Sequence, residues 1–240
     1  FAGVSETAHG AEWVSQLTSN YLSTKKSGLL ISTACPAAVS YIQKYAPSWV
    51  RYLAPVVSPL LAHAHLLKSW YGKHAKIVFV GPCVAKKSEV DVAGDLVEAA
   101  LTFAEVRKWF EESGITPGLF FPEEYGALFP CRAGRGSVYP VDGGMIKTLK
   151  GHSAGKTNIK FLSISGLKQI QEALDSTIPE VPAGQVLFLE LLACEGGCIN
   201  GPGTTSHQGW LHKNIKITSY YEQHPEPARV PQASFSDEEL

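Results

Sequence analysis

Cys194 and Cys198 stand four residues apart in the stretch LELLACEGGCING, with Gly196 and Gly197 between them. Cys35 in TACPA and Cys83 in GPCVAKKSE complete a set of four thiols. Thiolates are soft ligands, and four of them suit zinc or an iron–sulfur cluster. Structural zinc sites more often use short CxxC pairs, and only Cys194 and Cys198 are close in this sequence. Their spacing lets glycine backbone and N–H groups approach a bulky anionic ligand, so ligand softness and geometry favour a cluster, with zinc as the alternative. Lys86 and Lys87 follow Cys83 within one helical turn. Such lysines are usually solvated charges, but beside a thiolate cluster a lysine neutralises or hydrogen-bonds a negative ligand. The fifth cysteine, Cys131 in ALFPCRAGRG, reads as a small buried hydrophobe.

Four apolar runs could position the thiols: Gly28 to Thr33, Ala75 to Gly81, Ile159 to Gly166 and Gln185 to Ala193. Three of them end within a few residues of a cysteine. Between the runs lie helical patterns. In LTFAEVRKWFEESGI, Thr102 is the N-cap, Glu105 completes a capping box and Gly114 stops the helix. In SGLKQIQEAL, Ser165 takes the N-cap place. This alternation indicates an α/β fold built on a mainly parallel sheet. The carboxyl ends of parallel strands lie along one edge, where ligands bind, so thiols distant in sequence would converge there.

With 240 residues and a formal charge of -1, the chain can bury a core but has no field to attract nucleic acid or anionic lipid. The most apolar stretch, Trp49 to Leu67, carries Arg51, Pro55, Pro59, His63 and His65, which is wrong for a membrane span. FAGVSETAHG lacks the basic and apolar regions of a secretion signal, giving the expectation of an intracellular, reducing compartment, where metal or redox use of cysteine is favoured over disulfides. The proline-bearing residues 220–240 read as a tail or linker to a further module, leaving residues 1–219 as the main domain.

The three cysteine motifs TACPA, GPCVAKKSE and LELLACEGGCING, in that order and spacing, resemble those of the catalytic H-cluster domain of iron–iron hydrogenases. VVSPLLAHAHLLKSWYG resembles the serine–proline loop and helix between the first two motifs, and RGSVYPVDGGM resembles the segment lining the diiron pocket. The resemblance implies that fold, with helices on both faces of the sheet, and a 4Fe-4S cluster held by Cys35, Cys83, Cys194 and Cys198. It implies a diiron azadithiolate unit with carbonyl and cyanide ligands bridged through Cys198, with Lys86 hydrogen-bonded to a cyanide. Ala34, Ser58, Pro82 and Tyr139 fall at further cofactor-contacting positions. The implied reaction is reversible interconversion of dihydrogen with protons and electrons, in the cytoplasm of an anaerobic organism. Electrons would pass through iron–sulfur modules or a companion chain. The resemblance also implies that a strand and helix which open the domain in family members are missing here.

Several positions depart from the family pattern. Ala34 replaces the cysteine that delivers protons to the azadithiolate amine, and a methyl group exchanges no proton. Gly81 and Leu192 replace methionines, Leu60 replaces a glutamine and Tyr139 replaces a phenylalanine. The combination resembles the sensory branch of the family, implying a slow hydrogenase domain used for hydrogen or redox sensing with a signalling module as partner. Glu12, His9 and Glu195 are candidates for a replacement proton relay. The alternative is an iron–sulfur protein assembly factor, which would hold only the 4Fe-4S cluster.

Overall fold

The computed structural model describes residues 2–116, 128–152, 158–206 and 208–224. In chain order the elements are α1 (Ala8–Thr24), β1 (Gly28–Ile31), α2 (Pro36–Tyr45), α3 (Pro59–Tyr71), β2 (Val78–Gly81), α4 (Ala85–Val92) and β3 (Ala99–Thr102). They continue with α5 (Phe103–Glu112), α6 (Gly144–His152), β4 (Ile159–Ser165), α7 (Leu167–Leu174), β5 (Val186–Leu192) and α8 (Trp210–Gln223). All strand pairs among these are parallel, as the α/β reading expects, but they form two sheets rather than one. β5 lies between β1 and β4, while β2 pairs only with β3. The four residues of β3, AALT, are too short to stand out in the sequence ahead of the Thr102 cap.

The central strand β5 is buried on both faces because its apolar residues run on without alternation. Val186 and Phe188 meet Val14 and Leu22 of α1 and Met145 and Leu149 of α6. Leu189 and Leu191 share the other core with Ala38 and Ile42 of α2 and Ile170 and Leu174 of α7. Helices therefore cover both faces of this sheet, and each fully buried Leu or Phe contributes roughly 1.5–3 kcal/mol. The second sheet has its own core, in which Phe79 and Ala100 pack with Leu60 and Ala64 of α3 and Val90 of α4.

Local signals act where they were expected in α5. Thr102 Oγ1 accepts the Glu105 amide at 3.2 Å and Glu105 Oε2 accepts the Thr102 amide at 2.8 Å, and Gly114 follows the helix with φ of 68°. Ser58 caps α3 by accepting the Leu61 amide. Ser165 does not cap α7. Gly166 holds the N-cap place with φ of 101°, and the Ser165 hydroxyl turns instead to Asp142. Helix α8 crosses the expected boundary at residues 219 and 220 and runs to Gln223, so that boundary interrupts a continuous helix; residues 225–240 lie outside the described residues. Among the described residues no helix is long and apolar enough to cross a membrane.

Helix α3 touches both halves of the molecule, and its crossing with α1 depends on Gly10. A Cβ there would stand 2.6 Å from the His63 amide nitrogen and inside contact distance of the Pro59 carbonyl oxygen. Both obstacles are backbone, so no rotamer change relieves them. Gly10→Ala should lower the unfolding free energy by about 1–3 kcal/mol, read as a lower urea midpoint; an unchanged midpoint would show that the crossing is looser than described.

Candidate metal centre

The four thiols arrive by three routes. Cys35 follows β1 and is the N-cap of α2. Cys83 follows β2, and the amides of Ala85 and Lys86 at the start of α4 donate hydrogen bonds to its sulfur. Cys194 and Cys198 flank a turn after β5, with Cys198 opening a short 3-10 helix, Cys198–Asn200. Two parallel sheets thus deliver their carboxyl ends to one place, and backbone amides at helix starts supply partial positive charge suited to thiolates.

Hydrogen bonds donated by backbone amides join the motifs and their surroundings. The Ala193 amide donates to Cys35 Sγ at 3.5 Å, linking the first motif to the third. The Gly203 amide donates to the Pro82 carbonyl at 2.8 Å, and a Cβ at Gly201 would stand 2.6 Å from the same oxygen. Pro82 therefore joins the second motif to the third through its backbone. The Ile199 amide donates to the Pro140 carbonyl at 3.1 Å. A Cβ at Gly197, whose φ is 100°, would press on that carbonyl and stand 2.9 Å from the Asp142 amide nitrogen. The turn between Cys194 and Cys198 consequently requires glycine for both conformation and close approach.

The thiols act on one another electrostatically. Burial raises the Cys198 thiol well above its ordinary range, and the nearby Cys35, Cys83 and Cys194 raise it further. Cys194 is pushed up to about 11, by burial first and then by Cys35 and Cys83. Burial also raises Cys83, against the amide hydrogen bonds and Lys86. Such a group holds its protons when bare and would release them to solvent when a metal cluster binds, because the cluster's positive charge offsets the repulsion between thiolates. Among the described residues no three His, Cys, Asp or Glu side chains gather around a single ion. A 4Fe-4S cluster asks for a different arrangement, with one thiolate on each iron and the thiolates spread around the cluster. The donor set fits that demand in type and number. Cys131 is half-buried and takes no part in these interactions; its carbonyl accepts a hydrogen bond from His9 Nε2 at 3.0 Å.

Beside the thiols, Lys86 is buried and donates to Glu89 Oε2 at 2.7 Å and to Ser58 Oγ at 3.0 Å. Lys87 instead pairs with Glu105 at the surface. Ala34 and Tyr139 border the same apolar cluster as Trp13, and the Tyr139 hydroxyl shares a 2.7 Å hydrogen bond with Ser15 Oγ. Leu60 is buried in the core of the second sheet, while Leu192 lies in the core between β5 and α2. The three relay candidates are separated. His9 lies under Trp70 and His63, the Glu12 carboxylate is 2.8 Å from His152 Nε2, and Glu195 is exposed. No hydrogen bond among the described residues links any of them to Ala34.

The family model for the C-terminal domain of the iron only hydrogenase large subunit matches residues 1–202. The chain belongs to that family. This hydrogenase-family chain is 23% identical to the periplasmic [Fe] hydrogenase large subunit of Nitratidesulfovibrio vulgaris, over 91% of its own length and 61% of the relative's. It is 24% identical to iron hydrogenase 1 of Clostridium pasteurianum, over 72% of its length and 37% of the relative's. It is also 22% identical to the cytosolic Fe-S cluster assembly factor narfl of Xenopus tropicalis, over 80% and 50% respectively. The chain thus spans less than two thirds of each of these relatives. A solved variant of [FeFe]-hydrogenase HydA1 from Chlamydomonas reinhardtii superposes with a TM-score of 0.65 at 16% identity, covering 96% of this chain and 77% of that one. The shared fold places the hydrogenase-family architecture around the four thiols.

Sequence reasoning passed over Glu190, although a lone carboxylate inside VLFLELL was a visible signal. It is buried, and its two oxygens accept the Met145 and Ile146 amides at 3.1 Å each, tying β5 to the start of α6. Burial raises its carboxyl to about 7 from the ordinary 4.5, with those amides pulling it down and Asp142 adding to the rise. The folded chain therefore holds a proton there that the unfolded chain releases. The resulting stabilisation is complete below about pH 4.5 and is lost as pH rises through 7. A gap of that size corresponds to about 3 kcal/mol. Replacing Glu190 by Gln should therefore gain stability relative to the wild type between about pH 5 and about pH 8 in urea unfolding. An unchanged difference between the two proteins across that window would show that Glu190 does not titrate there.

Proposed function

We propose that this chain is the H-cluster-binding part of an iron–iron hydrogenase of low turnover, used for hydrogen or redox sensing. The observation that carries the reading is the meeting of Cys35, Cys83, Cys194 and Cys198 beside the buried Lys86 ammonium. In this reading the four cysteines would hold a 4Fe-4S cluster, and Cys198 would also serve a diiron azadithiolate unit carrying carbonyl and cyanide. When bound, that cofactor supplies the reversible cleavage of dihydrogen.

The chain's own groups hold and shape the site. A lysine ammonium has three N–H donors, and Ser58 and Glu89 orient Lys86 by accepting two of them. The third is available to an anionic ligand such as cyanide. The Ala34 methyl and the Tyr139 ring, both partly buried, pack against the apolar cluster that includes Val14 and Met145 and add apolar surface there. Ala34 offers no exchangeable proton, and the Tyr139 hydroxyl already bonds Ser15, so proton delivery is the slow function. Electrons pass to an iron–sulfur module or companion chain, and a signalling module reads the state of the site. The reading carries a cytoplasmic location in an anaerobe, while the names of the relatives include both a periplasmic hydrogenase and cytosolic assembly factors.

One observation favours a second reading, in which the protein is an iron–sulfur assembly factor with the 4Fe-4S cluster alone. Glu89 already neutralises Lys86 within the chain, so the ammonium needs no cyanide partner. Curated relatives in Xenopus tropicalis and Danio rerio bear assembly-factor names.

Infrared spectra of the full-length protein, matured anaerobically with a diiron complex, separate the two. Carbonyl and cyanide bands that shift under hydrogen are expected for the hydrogenase reading. An intact 4Fe-4S paramagnetic signal without those bands would favour the assembly reading. Cys198→Ala should abolish the bands, and Ala34→Cys should raise hydrogen turnover. Unchanged turnover in fully matured Ala34→Cys would show that Ala34 is not the principal block.

A further inference from the structure

The hydroxyl of Ser165, left over when Gly166 became the cap of α7, lies beside the turn that carries two of the four thiols. Ser165 is the last residue of β4 and sits in register with Leu192, two residues before Cys194. Its Oγ accepts the Gly196 amide at 3.2 Å and donates to Asp142 Oδ2 at 3.0 Å. Ser163, two residues earlier on the same strand face, donates to the other oxygen, Asp142 Oδ1. Ser163 Oγ in turn accepts the Gly143 amide at 3.2 Å. One carboxylate thus fixes two hydroxyls, and one of those hydroxyls takes up an amide from the middle of CEGGC. The same Tyr139–Gly143 stretch supports this turn a second time, through the Pro140 carbonyl and the Ile199 amide.

We propose that Asp142, acting through Ser165, is a positioning residue for the Cys194–Cys198 turn and holds the reduction potential of the bound cluster low. The inference rests on the reading that the four cysteines hold a 4Fe-4S cluster. Gly196 has φ of 72°, so the backbone reverses at this residue and its N–H needs an acceptor in a half-buried place. Ser165 provides one on the β4 side. Because the carboxylate accepts the Ser165 proton, the lone pairs of that hydroxyl stay turned toward Gly196. An amide committed to Ser165 is withheld from cluster sulfur. Hydrogen bonds to sulfur are one of the factors that set a cluster's potential, and by stabilising the more negative reduced state they raise it. Without the hydroxyl, the Gly196 amide loses its acceptor, and the electron-rich sulfurs are the strongest acceptors the turn would offer it.

The test is a redox titration of the anaerobically reconstituted full-length protein, followed by the paramagnetic signal of the reduced cluster. Ser165→Ala and Asp142→Ala should both raise the midpoint potential and alter the signal's g-values. Ser165→Thr, which keeps the hydroxyl, should restore the wild-type potential, a rescue that loss of packing alone would not give. Asp142→Asn keeps the shape and one acceptor oxygen and should give a smaller rise. Wild-type potentials in Ser165→Ala and Asp142→Asn with full cluster content would overturn the inference while leaving the cluster reading intact. Failure of the wild-type protein itself to take up a 4Fe-4S cluster would instead remove the reading beneath it.

Discussion

The fold brings four thiols from two separate sheets into one another's electric field, largely out of water. As bare thiolates they would repel and lack solvation, which is why Cys194 and Cys198 hold their protons far above the usual thiol range. The surrounding structure is organised to keep them together despite this. The Ala193 amide reaches the Cys35 sulfur, the Pro82 carbonyl receives the Gly203 amide, and the Pro140 carbonyl receives the Ile199 amide, so backbone amides of the third motif and the residues after it tie it to the first motif, to the second and to the 139–143 stretch. Backbone contacts of this kind leave little room for substitution, which explains the demand for glycine at 197 and 201. A cluster with net positive iron between the thiolates turns the same proximity from a cost into the source of binding.

Legibility in the sequence followed the locality of the cause. The cysteine motifs, the Thr102 capping box and the buried strand ending at Leu192 depend on neighbours in sequence and were readable there. The split into two sheets was not, because it depends on whether β2 finds β3 or β1 as its partner, and four residues of AALT carry almost no periodic signal. Ser165 shows the same limit at a single residue. Its type and place ahead of a helical run fit a cap, yet Asp142 and Gly196, both distant in sequence, compete for the hydroxyl and win it. Glu190 was readable as an anomaly in an apolar strand, but its partners on α6 were not.

The side chains beside the thiols are held in place by partners within the chain. Lys86 is fixed from two sides, the Tyr139 hydroxyl is engaged, and Ala34 presents only a methyl group. His9, Glu12 and Glu195 occupy three different environments rather than one file. Family membership and fold place this chain among proteins whose names span hydrogenases and assembly factors. Both proposed readings rest on Cys35, Cys83, Cys194 and Cys198 as cluster ligands, so that set is the claim on which the functional account stands.

Iron and acid-labile sulfide analysis of the anaerobically reconstituted protein, alongside the Cys35→Ser, Cys83→Ser and Cys194→Ser variants, tests that claim most directly. The account predicts a 4Fe-4S content in the wild type, with a paramagnetic signal on reduction, and loss or alteration of that signal in each variant. A colourless wild-type protein carrying one zinc ion, or a cluster indifferent to all three substitutions, would contradict it.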